Sequence, residues 1–450
     1  MENTAFRLPL YLPAQGAAES EATIIQWQVA EGDSFQKGQV LAQIDSAKSV
    51  FDFEAPCDGQ LVRLFFGEGE TVAYDRPVME IETSDEEMRD WIPPAAAAPE
   101  LVSPEAAISS PQLGASPTQE VVLRSLGGYL PRRVVTNADI LQRFPEISEE
   151  YVYQVTGIRE RRWAENGEKP SDMAHAASLE AIHKAGLAPI EIDAVILATT
   201  TPDVAMPSTA CILQERLGLG PVPAFDLNAA CSGWLYAVAM ARNMILSGMA
   251  RNVLTVGVDV QSRLLHEDDQ STSFIFGDGA GAAVISAAAQ PSPYAAGKPS
   301  AGHRIRHVVL GADARGLRMA RRQQSGYFVS NGHEGSDPWI RLDGQALFRF
   351  AAESFADIIR ETIDRSGWSP RETRWVVPHQ ANQRIIKAAA KRSGVSFDRF
   401  FLNVERVGNT SSASIPLAML EIEEGLAEGD KLILCSVGAG ITTAAVSIEW

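Results

Sequence analysis

Residues 92–120 read IPPAAAAPELVSPEAAISSPQLGASPTQE, a run of proline, alanine and serine without a sustained apolar period. Such a stretch cannot bury enough surface to offset the entropy of ordering it. A chain interrupted this way folds as separate units, with a linker assigned to 84–119. The SDEEMRDW segment at its start either prolongs the first unit or forms a short helix. A proline-containing linker is semi-extended, at up to about 3.1 Å per residue, so it spans many tens of ångströms.

The first unit, 1–83, reads as short strands and turns. Glu31-Gly32-Asp33, Lys37-Gly38, Asp58-Gly59 and Gly67-Glu68-Gly69 punctuate apolar runs, an all-β pattern. It is acidic. Eighteen Asp and Glu against six Lys and Arg precede residue 100, two thirds of the chain's net charge of −18. Within QIDSAKSVFDF, Lys48 falls in a polar break between two strand-like runs, where a lysine is by default a solvated surface charge.

Beyond residue 120 strands and helices alternate, as in AVILATTT, TACILQERLG, NVLTVGVDV, LFRFAAESFADIIRETIDRSG and KLILCSVGAG. Alternation of this kind gives an α/β fold with largely buried sheets. The length fits two halves, 120–290 and 291–450, although their sequences are too dissimilar to demonstrate a repeat. SDMAHAASLEAIHKAG reads as a helix capped by Ser171.

The strand signal 222–227 runs into a small-residue turn. Trp234, Leu235, Val238, Ala239 and Met244 then recur at helical spacing. Cys231 therefore falls at a helix N-terminus, where unpaired N–H groups and the helix dipole favour a thiolate. Cysteine in such a place packs as often as it reacts. His379 in WVVPHQANQRII and Asn409 in RVGNTSSASIPLAM each stand where a strand or turn gives way to a helix, and Gly438-Ala439-Gly440 follows an apolar strand. Each alone is a common cap or core residue. Together, a cysteine, a histidine, an asparagine and a glycine-rich turn able to offer backbone N–H groups suit thioester chemistry.

Composition excludes several classes. The negative charge argues against nucleic-acid binding, and no apolar run is long enough to span a membrane. The four cysteines have no metal-finger spacing, and no signal-peptide pattern is read, so a cytoplasmic protein without a metal is expected.

Residues 31–72, EGDSFQKGQVLAQIDSAKSVFDFEAPCDGQLVRLFFGEGETV, resemble the lipoyl/biotinyl carrier domains. The resemblance implies a flattened β-barrel displaying Lys48 as the modified residue. Ala47 and Ser49 stand where biotin acceptors usually carry methionine, and Asp45 where lipoyl domains often carry an acid, so lipoate is favoured over biotin. An unmodified docking domain is the alternative.

From about Val121 the chain resembles β-ketoacyl-acyl carrier protein synthase III of the thiolase fold. GGYLPRRVVTNADI, VTGIRERR, LATTTPDVAMPSTAC, FDLNAACSG, IFGDGAGAAV, VPHQAN and GNTSSASIP occur in the family's order. The resemblance implies a five-layered αβαβα fold and a homodimer. It makes Cys231 the acylated nucleophile, with His379 and Asn409 holding a malonyl thioester during decarboxylation. The backbone N–H groups of Cys231 and Ala439 would form the oxyanion hole, with Ala439 replacing the family's glycine. Met206 matches the residue that helps close the partner's acyl pocket, in place of a frequent aromatic. Arg384, Lys387, Lys391 and Arg392 form a basic face suited to an acidic acyl carrier protein. At the positions that clasp coenzyme A's adenine, Tyr151, Val155 and Gln270 replace a Trp and two Arg. That departure implies a donor other than acyl-coenzyme A, such as an acyl thioester on Lys48. Two alternatives stand beside condensation: acyl transfer to an oxygen or nitrogen nucleophile, and a non-catalytic docking scaffold.

Overall fold

The structure, a computed structural model, describes residues 5–12, 21–46, 50–73, 76–85, 88, 120–288, 302–322 and 338–450. It comprises two compact units, Met1–Gln112 and Leu113–Trp450.

The smaller unit is two four-stranded antiparallel sheets, one built on Phe6–Tyr11, Pro77–Thr83, Gly59–Leu64 and Ser34–Phe35, the other on Val50–Glu54, Val40–Ser46, Glu21–Trp27 and Thr71–Ala73. Alternation buries Leu10, Ile24, Leu41, Ile44, Phe53, Leu61 and Ile81 between them. Gly32 and Gly69, with φ of 94° and 82°, take the left-handed conformation their turns require. Strands Val40–Ser46 and Val50–Glu54 pair in register, with Asp45 opposite Val50. Lys48 belongs to residues 47–49 between them, outside the described residues.

The larger unit holds a nine-stranded order whose two halves repeat one topology. From the centre outward, the first half runs Val121–Tyr129, Gly279–Ala287, Asn252–Asp259, Ala194–Ala198 and Ala224–Leu227. The second runs His303–Ala312, Thr442–Glu449, Lys431–Gly438 and Thr373–Pro378. In both, the first two pairings are antiparallel and the third is parallel. The duplication that the sequence does not show is thus plain in the strand order. The halves join through two residue pairs, His303 with Leu123 and Arg304 with Val122.

Helices complete five layers. Pro170–Lys184 and Thr209–Arg216 pack on the first half, and Gly344–Arg365 and Gln383–Ser393 on the second. Two apolar helices, Gly233–Leu246 and Ser414–Ile422, lie between the halves. There Trp234, Leu235, Val238 and Ile415 are buried almost completely, each stabilising the fold by about 1.5–3 kcal/mol or more. Helix Pro170–Lys184 has its N-cap at Lys169, two residues before the expected cap Ser171, because proline suits the first helical position. Ser171 instead donates to Asp203 through both its backbone N–H (2.9 Å) and its hydroxyl (2.6 Å).

Candidate active site

Strand Ala224–Leu227 delivers the chain to a short turn, Ala230–Ser232, which continues directly into helix Gly233–Leu246. Ala230 adopts φ 49°, a strained conformation that a non-glycine residue keeps only where its surroundings enforce it. Segment 436–442 provides that enforcement. Ser436 donates to the Cys231 carbonyl (3.0 Å), Thr442 to the Ala229 carbonyl (2.9 Å), and Ser232 to the Thr442 carbonyl (2.8 Å). Among the described residues, neither the Cys231 N–H nor the Ala439 N–H finds a carbonyl partner.

His379 immediately follows strand Thr373–Pro378, anchored by its N–H donating to the Cys435 carbonyl at 2.7 Å. The residue is 1% exposed, and Nδ1 shares a 2.7 Å hydrogen bond with the Ser414 hydroxyl. Asn409 is buried and accepts at Oδ1 from the Ser411 N–H (2.9 Å). The Ser411 hydroxyl in turn donates to Cys231 Sγ at 3.7 Å. Turn 409–414 therefore touches the cysteine at one end and the histidine at the other.

Burial dominates the electrostatics. It pushes the Cys231 thiol up to about 12; the Ser411 hydrogen bond opposes this and the charge of Asp259 reinforces it. Desolvation thus favours the protonated thiol over the thiolate expected from the helix terminus. Burial likewise drives His379 down to about 3, so its ring is neutral at physiological pH. Every cysteine is a free thiol, and no cluster of three or more potential metal ligands lies among the described residues.

The remaining expected residues lie elsewhere. Met206 is 87% exposed on the 199–208 loop. A cleft beside that loop is lined by Thr200, Met206, Phe225, Asn228 and Arg263, and none of Cys231, His379 and Asn409 lines it. Arg384, Lys387, Lys391 and Arg392 are all exposed on helix Gln383–Ser393, which buries Ile385, Ile386, Ala389 and Ala390 on its other side. Of the adenine-clasp positions, Tyr151 is 52% exposed, and exposed Gln270 donates to Glu146 (3.2 Å).

Sequence reasoning passed over Ser411, Ser414, Ser436 and Asp259. The first two stand inside GNTSSASIP, and a run of serines just before an apolar helix is a signal that could have flagged them. Asp259 carries no local signal. It is fully buried at the end of strand Asn252–Asp259 and accepts from Thr200 as well as Ser412.

Residues 225–313 match the family described as 3-oxoacyl-[acyl-carrier-protein] synthase III, and 363–450 match its C-terminal counterpart. Residues 9–81 match the biotin/lipoyl family described as biotin-requiring enzyme. The β-ketoacyl-[acyl-carrier-protein] synthase III 3 of Streptomyces coelicolor is 39% identical over 338 residues, covering 74% of this chain and 98% of the relative. A synthase III crystal structure from Aquifex aeolicus is 36% identical with a TM-score of 0.65, covering 74% of this chain and all of that one. The priming β-ketosynthase of the R1128 polyketide pathway is 33% identical, with a TM-score of 0.66 over 74% of this chain and 96% of its own.

Proposed function

Since the chain belongs to the 3-oxoacyl-[acyl-carrier-protein] synthase III family of thiolase-fold acyltransferases, we propose that it condenses an acyl thioester with malonyl-acyl carrier protein in fatty acid or polyketide-type biosynthesis. Cys231 exchanges its thiol proton for the acyl group, releasing the donor as a free thiol. The malonyl C–CO2 bond then breaks, and its electron pair moves into the thioester carbonyl as an enolate. His379 and Asn409 stabilise that enolate through hydrogen bonds. The enolate carbon attacks the Cys231 thioester, whose oxyanion is received by the N–H groups of Cys231 and Ala439. Collapse expels the cysteine sulfur and leaves a β-ketoacyl carrier protein.

The observation that carries this reading is the contact chain from Cys231 Sγ through Ser411 to Asn409, with buried, neutral His379 held by Ser414 of the same turn. The test is acyl-Cys231 by intact mass together with carbon dioxide release from malonyl-acyl carrier protein. An acyl adduct without decarboxylation would refute condensation.

In the same proposal, helix Gln383–Ser393 docks the carrier protein. A second copy of the chain receives Met206, and the enzyme works in the cytoplasm. Lys48 holds a lipoyl group, an assignment supported by the biotin/lipoyl match and by the paired strands on either side of residues 47–49. When bound, that group would supply a dithiol able to carry an acyl thioester. A mass increment at Lys48 in protein from its native host tests the attachment.

A further inference from the structure

Turn 409–414 touches both proposed enolate-stabilising side chains, and in each case on a specific atom. Asn409 uses Oδ1 to accept from the Ser411 N–H, so its amide orientation is settled and Nδ2 is left as the outward donor. The partner of His379 is the Ser414 hydroxyl at Nδ1. Two arrangements share one hydrogen bond there. If Nδ1 carries the proton, the ring donates to Ser414, and the buried serine proton needs another acceptor. None is found among the described residues. If the serine donates to a bare Nδ1, both groups are satisfied and the ring proton sits on Nε2. Buried polar groups are rarely left unpaired.

We infer that Ser411 and Ser414 are positioning residues that preset Asn409 and His379 as a pair of hydrogen-bond donors, with His379 held as the Nε2–H tautomer. The inference rests on the condensation reading and deepens it. A ring so held has no free lone pair, so it stabilises an enolate oxygen but does not serve as a general base. This is a physical reason for the site to favour carbon–carbon bond formation over transfer to an oxygen or nitrogen nucleophile, which needs a proton acceptor. Ser414 is free for the role because Ala413, not Ser414, is the N-cap of helix Ser414–Ile422, and the Ser414 hydroxyl is engaged with His379 Nδ1. Burial supplies the second condition by keeping the ring neutral.

The experiment is a long-range proton–nitrogen correlation spectrum of the full chain labelled with 15N-histidine, the His379 signals being identified by their loss in His379→Gln. A protonated Nε2 and a bare Nδ1 are expected; a protonated Nδ1 overturns the inference. Ser414→Ala is expected to give a mixture of tautomers. Its kcat for carbon dioxide release falls by about 10- to 100-fold, because a mixed ring offers the Nε2–H donor to the enolate only part of the time. The KM for malonyl carrier protein and the rate of Cys231 acylation change little, and Ser414→Thr restores both spectrum and kcat. Wild-type spectrum and kcat in Ser414→Ala would also overturn the inference. Should that variant fail to fold, the wild-type spectrum decides alone. It is read without turnover, so an Nε2–H ring in a protein that releases no carbon dioxide would refute condensation and leave the tautomer assignment standing.

Discussion

The carboxylate of Asp259 accepts from both the hydroxyl (2.8 Å) and the backbone N–H (3.2 Å) of Ser412. Its other oxygen accepts from the N–H (2.7 Å) and hydroxyl (2.8 Å) of Thr200. One fully buried carboxyl group therefore ties the 199–201 segment to the turn that holds Asn409. Asp259→Ala strands these donors away from water, and each unsatisfied group costs about 1–3 kcal/mol. A lower urea midpoint and slower carbon dioxide release are expected together, because the turn moves when its anchor goes.

Gly438 packs face to face with the cysteine turn. A Cβ there would lie 3.0 Å from both Cys231 N and Ala229 O and 2.6 Å from Thr442 Oγ1. Gly438→Ala must separate the two turns and displace the Cys231 and Ala439 amides from the oxyanion position proposed for them. Loss of one oxyanion donor lowers kcat by about 10²–10³. A steady-state assay of the folded variant checks this.

Stability should depend on pH through His379. The buried ring titrates near 3, against an ordinary 6.5. Between those values the unfolded chain binds a proton the folded chain refuses. The contribution is therefore present above 6.5 and lost as pH falls toward 3, by about 1.4 kcal/mol per pH unit. Burial depresses His303 and His307 in the same sense, so the comparison is with His379→Gln, which retains them. The unfolding free energy of wild type should drop by about 2 kcal/mol more than that of the variant between pH 7 and pH 5. Equal slopes would contradict the buried neutral ring.

The element-end positions of Cys231, His379 and Asn409 are legible because each stands at a boundary where apolar periodicity changes, and those boundaries survive in the linear pattern. The two-layered smaller unit was legible for the same reason, since its turns fall at regular intervals. What escaped were relations between distant segments. Asp259 reads as an ordinary strand residue; its partners lie 59 and 153 positions away. A helix terminus at Cys231 is a local pattern, but burial is a property of the packed layers, and it pushes the thiol up. The internal duplication is likewise carried by strand order and not by residue identity.

Helix Gln383–Ser393 offers a test of partner choice. Its four cations project from the face opposite buried Ile385, Ile386, Ala389 and Ala390, and none forms an ion pair among the described residues. Charge complementarity acts mainly on encounter and is screened within about 10 Å at 0.1 M salt. Reversing two charges, Lys387→Glu with Lys391→Glu, should raise the KM for malonyl carrier protein by about tenfold or more at low salt. The gap should narrow as salt is added. Acylation of Cys231 from a small thioester such as an N-acetylcysteamine ester should be unaffected. A loss of both activities would mean that the helix acts through the fold.

Met206 poses the sharpest question about assembly. A methionine 87% exposed, near Val204 at 47%, presents apolar surface to water within a single chain. If a second copy receives it, Met206→Asp places a carboxylate in that interface, where burying an unpaired charge costs several kcal/mol. Analytical ultracentrifugation should then show a dimer for the native chain and dissociation for the variant. Substitution by phenylalanine should keep the dimer while shortening the acyl chain accepted at Cys231, because a rigid ring fills space that flexible methionine can vacate. Competition between short and long acyl donors, read as the ratio of Cys231 adducts, separates the two effects. A shift in that ratio with the dimer intact identifies Met206 as a wall of the partner's acyl pocket, while dissociation by aspartate without such a shift confines it to the interface.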